Sequence, residues 1–317
     1  MNESQNAQKE QFLIIKHGAL GDMIQGLDAF ESLRKSFASA HLTLLTSPPF
    51  DSLSASMPYF DSVISDKRAP LYQIGQLLQI RGLFAKEWTA VIDLQCSKRT
   101  AVYYNWFYKK PGRKWFGTVA GCSHPMPNFT NVNNRNRMLE AVKMLGASEH
   151  KADLSWLCGN ASPVIDSFGI QHPYCIIIPG SSAQKPSKRW AAKNYAHLSI
   201  RMNEFGIKSY LVGTKTEIPI GDEICALNPN VENLINRTNL AELAQLCANA
   251  KCVIGNDTGP TFLAACTSVP TLMLMGADTN PNMSSPMGVA ADYIYQANIQ
   301  NIKVEDVLNA LNKLGGM

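Results

Sequence analysis

Residues 12–37 read FLIIKHGALGDMIQGLDAFESLRKSF, and the order of events in that stretch decides the fold. The apolar run FLII has the length and composition of a strand buried on both faces. A turn holding Gly18 and Gly21 follows, then Asp22, and then Ile24, Leu27, Phe30, Leu33 and Phe37 recur at helical spacing. Strand, glycine turn and helix open a βαβ unit. Asp22 stands where the helix begins and has three readings: an N-cap, a ligand contact, or a carboxylate that accepts a proton from a hydroxyl.

Outward from this stretch the alternation continues. HLTLLTS, stopped by Pro48-Pro49, YFDSVIS and AVIDLQ are strand candidates, and IGQLLQIRGLFAKE and NRMLEAVKMLG are helices. Between Lys151 and Pro173 the pattern weakens into Gly, Asn, Ser and Pro, which marks a domain boundary. It then restarts with YCIIIPG, a helix through Tyr195, Leu198, Met202 and Phe205, the strand KSYLVG, and the helix NLAELAQLCANA, where Asn239 and Glu242 have capping-box spacing. CVIGND and TLMLMG are further strands, and Val304, Val307, Leu308 and Leu311 mark a last helix. The expected fold class is α/β: two Rossmann-like, doubly wound domains over 11–162 and 172–302. Such sheets bind ligands beyond the carboxyl ends of their strands. The distinctive turns HGALGD, DLQCSKR, PGSSAQKPSKRW, GTKTE, NDTGPT and GADTNP all fall at such ends, so two facing domains would enclose a ligand cleft.

Composition narrows the class. With 317 residues, 45% hydrophobic and 17% charged, the chain can bury sizeable cores. A net charge of +4 is too mild to argue for a nucleic-acid partner. No apolar run approaches the roughly 20 residues of a membrane span, and the polar start MNESQNAQKEQ is no export signal. The eight cysteines are scattered without a CxxC pair and read as reduced, mostly core residues, so the expected location is cytoplasmic.

Several turns carry candidate chemistry. GSSAQKPSKRW offers hydroxyls and cations (Ser181, Ser182, Lys185, Lys188, Arg189) just after a strand, which suits a diphosphate or is simply a solvated basic loop. In CVIGNDTGPT, Asp257, Thr258 and Gly259 open a helix whose amides and dipole favour an anion, or else they merely cap it. Glu217 in GTKTE lies past a strand end, where it could accept from ribose hydroxyls or face solvent. KRTAVYYNWFYKKPGRKWFG interleaves bases and aromatics, the pattern of a segment at anionic lipid head groups or of a helix with core aromatics and solvated lysines. Neither half has a GxGxxG followed by an acidic residue about 20 positions on, which speaks against a dinucleotide oxidoreductase.

Taken in order, LIIKHGALGD, VIDLQCSKRT, PGSSAQKPSKRWAAKNYAHL, LVGTKTE, CVIGNDTGPTFLAA and VPTLMLMGADTNP resemble the lipopolysaccharide heptosyltransferases of glycosyltransferase family 9 over nearly the whole chain. The resemblance implies a GT-B fold with the active site between the domains and the last helix, 303–314, returning to the first domain. It implies an inverting glycosyltransferase that moves heptose from ADP-heptose onto the lipopolysaccharide inner core or a related glycan at the cytoplasmic face of the inner membrane. A transferase of another sugar, or a non-catalytic nucleotide-sugar-binding protein of this fold, is the alternative. By the same resemblance Asp22 is the general base and Lys188 offsets the diphosphate charge. Ser181, Ser182, Glu217, Asp257, Thr258 and Gly259 hold the donor, and Lys98 and Arg99 face the acceptor; His17 and Gln25, where the first turn departs from the family pattern, are candidates for altered acceptor or sugar contacts. No cofactor or metal is implied; the nucleotide sugar is a substrate, and the other partners are a lipid-linked saccharide acceptor and an anionic membrane surface. Two further positions depart from the family pattern: Phe262 stands where a histidine is frequent after DTG, and Cys96 follows DLQ where glycine is expected.

Overall fold

The computed structural model describes residues 9–70, 72–127, 131–181 and 186–317. It divides into two compact units, 1–153 and 154–317. In the first, a six-stranded sheet runs in the order β3-β2-β1-β4-β5-β6, with β1 Gln11–Ile15, β2 His41–Thr46, β3 Ser62–Ser65, β4 Ala90–Asp93, β5 Trp115–Gly117 and β6 His124–Pro125. The second holds β7 Tyr174–Ile178, β8 Lys208–Leu211, β9 Glu232–Asn233, β10 Cys252–Asn256, β11 Thr271–Met275 and β12 Ala291–Tyr295, ordered β12-β11-β10-β7-β8-β9. Every pairing is parallel.

Counted from its own first strand, each sheet therefore has the Rossmann order 3-2-1-4-5-6. The order reverses between β1 and β4 in one unit and between β7 and β10 in the other. Loops leaving those four strands flank the crevices where this fold binds ligands. The central strands are apolar along their whole length because helices cover both faces; all five residues of β7, of β10 and of β11 are buried.

Local chemistry accounts for the breaks. The opening helical pattern is two helices, Leu20–Gln25 and Leu27–Ser36, separated at Gly26. Gly18 has φ +96°, and a Cβ there would meet the Phe50 ring at 2.4 Å, so the turn after β1 admits only glycine without rearrangement. Asn239 and Glu242 form the anticipated capping box at the helix Leu240–Ala248. Among the described residues no helix is long and apolar enough to cross a membrane.

The last helix is a correction. Val304–Lys313 does not return to the first unit but lies in the second, where Val304, Val307, Leu308 and Leu311 share one core with Trp190, Leu198 and Leu272. The Trp190 indole N–H donates to the Ile302 carbonyl at 3.0 Å and pins the entry to that helix. The boundary also falls earlier than expected: 154–162 goes with the second unit, and the helix Ser155–Cys158 packs on Leu240–Ala248.

Candidate active site

In the first unit the loops after β1 and β4 bring charged groups together. Asp22 sits in the first turn of Leu20–Gln25, but the N-cap is Ala19 and no side chain caps the helix. The capping reading is thus not realised. The Asp22 carboxylate is 35% exposed, and its ion-pair partner is the Lys16 ammonium at 4.0 Å, itself almost wholly buried. Burial pushes the Lys16 pKa down, opposed first by the Asp22 charge. A partly exposed carboxylate beside a buried cation is well placed to take a proton from a bound hydroxyl.

The loops after β1, β3 and β4 also border an open depression of 510 Å³ lined by His17, Lys67, Arg68, Gln95, Ser97 and Arg99. Beneath its floor Asp66, fully buried, organises the cations. It accepts from the Tyr103 hydroxyl, from the Arg68 amide at 2.7 Å and from the Gln76 amide nitrogen at 3.2 Å, with the Arg99 guanidinium 3.4 Å away. Burial alone would raise the Asp66 pKa; the nearby His17 ring and hydrogen bonds from Tyr103 and the Arg68 amide outweigh it and hold the carboxyl down at about 2. His17 Nε2 is 3.2 Å from Asp66 Oδ2, close enough for attraction but out of line for a well-formed hydrogen bond, so this nitrogen keeps unmet hydrogen-bonding capacity. The His17 amide donates to Gln95 Oε1 at 3.0 Å, which joins the two loops across the switch point.

Of the four anticipated acceptor contacts, His17 and Arg99 line this depression. Gln25 is buried, donating to the Gly21 carbonyl, and Lys98 is exposed and outside the lining. Asp66, Lys67, Arg68, Gln95 and Ser97 were missed. The available signal was position, because Asp66 directly follows β3 and Gln95 and Ser97 follow β4. Cys96 has φ +48°, the left-handed backbone that explains why glycine is the expected residue there. Its amide donates to the buried Asp93 carboxylate at 2.8 Å.

In the second unit the candidate donor residues gather at the β7/β10 switch point. The Lys188 ammonium pairs with Asp257, whose same oxygen accepts from Thr279. Thr258 is the N-cap of Gly259–Cys266 in extended conformation, with no side-chain cap bond, so its hydroxyl is not spent on the helix. Arg189 Nε donates to the Ser181 hydroxyl at 3.1 Å. Behind them Asn256 is fully buried. Its Oδ1 accepts from the Trp190 amide at 3.2 Å and the Tyr195 hydroxyl at 2.9 Å, and its Nδ2 donates to the Pro179 carbonyl at 2.7 Å. This one side chain ties the loop after β7 to the end of β10.

Glu217 is buried at the same edge. Its Oε2 accepts from the Thr214 amide at 2.8 Å and its Oε1 from the Thr216 hydroxyl at 2.7 Å. It fits because Gly180 and Gly213 lack side chains; a Cβ on either would come within 2.6 and 2.9 Å of it. Phe262 is buried in its helix, a packing position in this chain. Ser182 and Lys185 lie outside the described residues. Among the described residues no three His, Cys, Asp or Glu side chains are grouped to hold a metal ion. The basic-aromatic segment is mostly core: Tyr103, Tyr104, Tyr108, Trp115 and Phe116 are buried, and Trp106 is exposed.

Relatives carry the same architecture. Residues 79–313 match glycosyltransferase family 9 (heptosyltransferase). Lipooligosaccharide heptosyltransferase 2 of Haemophilus influenzae is 23% identical, the alignment covering 92% of this chain and 90% of that protein. The solved structure of Escherichia coli ADP-heptose LPS heptosyltransferase II superposes with a TM-score of 0.77 at 21% identity, over 96% of this chain and 98% of that one. E. coli heptosyltransferase WaaC with ADP gives 0.75 at 18% identity, over 96% and 99%. At such identities the superpositions speak for the fold, here GT-B, while the family match spans well over half the chain and includes the Lys188–Asp257 site. The protein belongs to glycosyltransferase family 9.

Proposed function

We propose that this glycosyltransferase moves heptose from ADP-heptose, with inversion, onto a lipid-linked saccharide of the lipopolysaccharide inner core at the cytoplasmic face of the inner membrane. Lys188, seated on Asp257 at the crossover of the second Rossmann sheet, is the observation that carries this reading. A cation and a free helix start at a switch point suit a diphosphate leaving group. The relatives named above, a lipooligosaccharide heptosyltransferase 2 and an ADP-heptose LPS heptosyltransferase II, supply the sugar and the nucleotide.

In this reading the second unit holds the donor through Lys188, Ser181, Thr258 and Gly259, with Glu217 toward the ribose. The first unit holds the acceptor. Its cation-rich depression suits an acceptor that carries carboxylates or phosphates. Asp22 takes the proton from the attacking hydroxyl as its oxygen bonds to the anomeric carbon. The bond from that carbon to the diphosphate oxygen breaks, and the charge developing on ADP is stabilised by Lys188 and the amides at Thr258 and Gly259.

The test is transfer from ADP-heptose to a heptose-deficient core saccharide, followed by mass spectrometry. Asp22→Asn is expected to keep donor affinity while turnover falls at least about a hundredfold. Lys188→Ala is expected to weaken donor binding and slow transfer together. Donor binding without transfer to any acceptor would identify a binding protein instead, and near-normal turnover of Asp22→Asn would remove the base.

A further inference from the structure

The helix Ile74–Ala85 carries large apolar residues on both sides, with Gln79 and Arg81 among the exposed ones. Ile80, Leu83 and Phe84 enter the core of the first unit with Tyr103 and Trp115. The outer side should be polar, yet Ile74 is 69% and Leu78 56% exposed, one turn apart, and Tyr72 just before the helix is 81% exposed. Gly75 and Gly82 add no side chain to this outer side, and a Cβ on either would meet nothing. The helical segment Tyr104–Tyr108 packs against this helix and carries Trp106, 59% exposed. Large apolar groups projecting from one pair of neighbouring elements call for a partner.

Charge identifies that partner. Residues 67–86 contain Lys67, Arg68, Arg81 and Lys86 and no carboxylate. Residues 94–139 again contain no carboxylate; of their cations Arg135 is paired with Asp28 and Arg99 with Asp66, while Lys98, Lys109, Lys110 and Lys114 are exposed. The whole chain has 29 basic against 25 acidic residues, so outside these two stretches acidic residues outnumber basic ones. A second copy of this chain would set cations against cations at such a face. A bilayer rich in anionic lipid matches both properties, with Tyr72 and Trp106 suited to the head-group level and Ile74 and Leu78 to the acyl boundary.

We propose that the outer side of Ile74–Ala85, with Tyr72 and Trp106, docks this enzyme on anionic membrane. The face adjoins the acceptor depression: Gln76 of the helix bonds Asp66 at 3.2 Å and the Ala69 amide at 3.1 Å, and Arg99, which lines the depression, donates to the Ala69 carbonyl at 2.9 Å. Docking there presents a lipid-rooted saccharide to the depression without lifting its lipid from the bilayer, a step that rests on the acceptor proposed above.

The test is co-sedimentation with phosphatidylglycerol–phosphatidylcholine vesicles and with phosphatidylcholine vesicles alone. The wild type is expected on the anionic vesicles at low salt and to leave them as salt rises through a few tenths molar, where the Debye length falls below about 8 Å. The triple variant Tyr72→Ser, Ile74→Ser, Leu78→Ser is expected to partition at least about tenfold more weakly. Ile200→Ser with Phe205→Ser, which removes exposed apolar groups of the second unit, is expected to bind as the wild type does. Circular dichroism and transfer to a soluble, lipid-free core saccharide, unchanged in the triple variant, show that it remains folded and active. Equal binding of the triple variant, no binding by the wild type at low salt, or a wild-type dimer that the triple variant dissociates overturns the membrane face. Loss of transfer to the soluble acceptor in the wild type itself would strike the proposed function, not this surface.

Discussion

Asp66 shows how one buried carboxylate can set a whole constellation. Its folded pKa of about 2 lies below the ordinary 3.8, so it stabilises the fold fully above about pH 4, and that contribution disappears as pH falls toward 2. A shift of this size corresponds to about 2 kcal/mol. Asp66→Asn is therefore expected to destabilise the first unit by roughly 3 kcal/mol near neutrality. The gap from wild type should narrow between pH 4 and pH 2, as read from thermal melts across pH. Its position directly after β3 was legible in sequence but its role was not, because its hydroxyl donor Tyr103 is 37 positions away and Gln76 lies ten away in another element. Asp22 was legible as a position and not as a role: its spacing put it at a helix start, yet in the folded chain Ala19, not Asp22, occupies the cap.

At the scale of elements, the strands buried on both faces reveal themselves most plainly in sequence, although the half-buried edge strand Ser62–Ser65 is also announced by YFDSVIS. FLII, HLTLL, YCIII and TLMLM each fall within a central or near-central parallel strand. Short edge strands such as His124–Pro125 and Glu232–Asn233 carry no pattern, since two residues cannot express a period. Strand β5 lay hidden in the basic-aromatic stretch, where Trp115 and Phe116 are core residues flanked by lysine and arginine. The joint between the loop after β7 and the end of β10 is equally silent, because Asn256 looks like any polar residue at a strand end. Asn256→Ala would leave the Trp190 amide and the Pro179 carbonyl without this partner in a buried site. A loss of about 2–4 kcal/mol in the second unit is expected, with weaker ADP binding by calorimetry, because the loop carrying Ser181 loses its anchor.

For the molecule as a whole, the last helix lies in the second unit and not where the family resemblance put it. Its spacing of Val304, Val307, Leu308 and Leu311 announces a buried face but not which core receives it. Removing 304–317 strips four such side chains from the second core, each contributing about 1.5–3 kcal/mol, a sum comparable to the stability of an entire domain. The truncated chain is expected to lose the cooperative melting of the second unit, whereas 154–317 expressed alone is expected to melt cooperatively and to be stabilised by ADP. Because that helix stays with the unit that precedes it, the polypeptide passes from one unit to the other only at the 153–154 junction. A gene encoding this chain can therefore be recombined at a single seam. Halves inherited from different ancestors could be joined there without severing either core, and under the division of labour proposed above the choice of nucleotide sugar and the choice of acceptor would then be free to diverge along separate lineages.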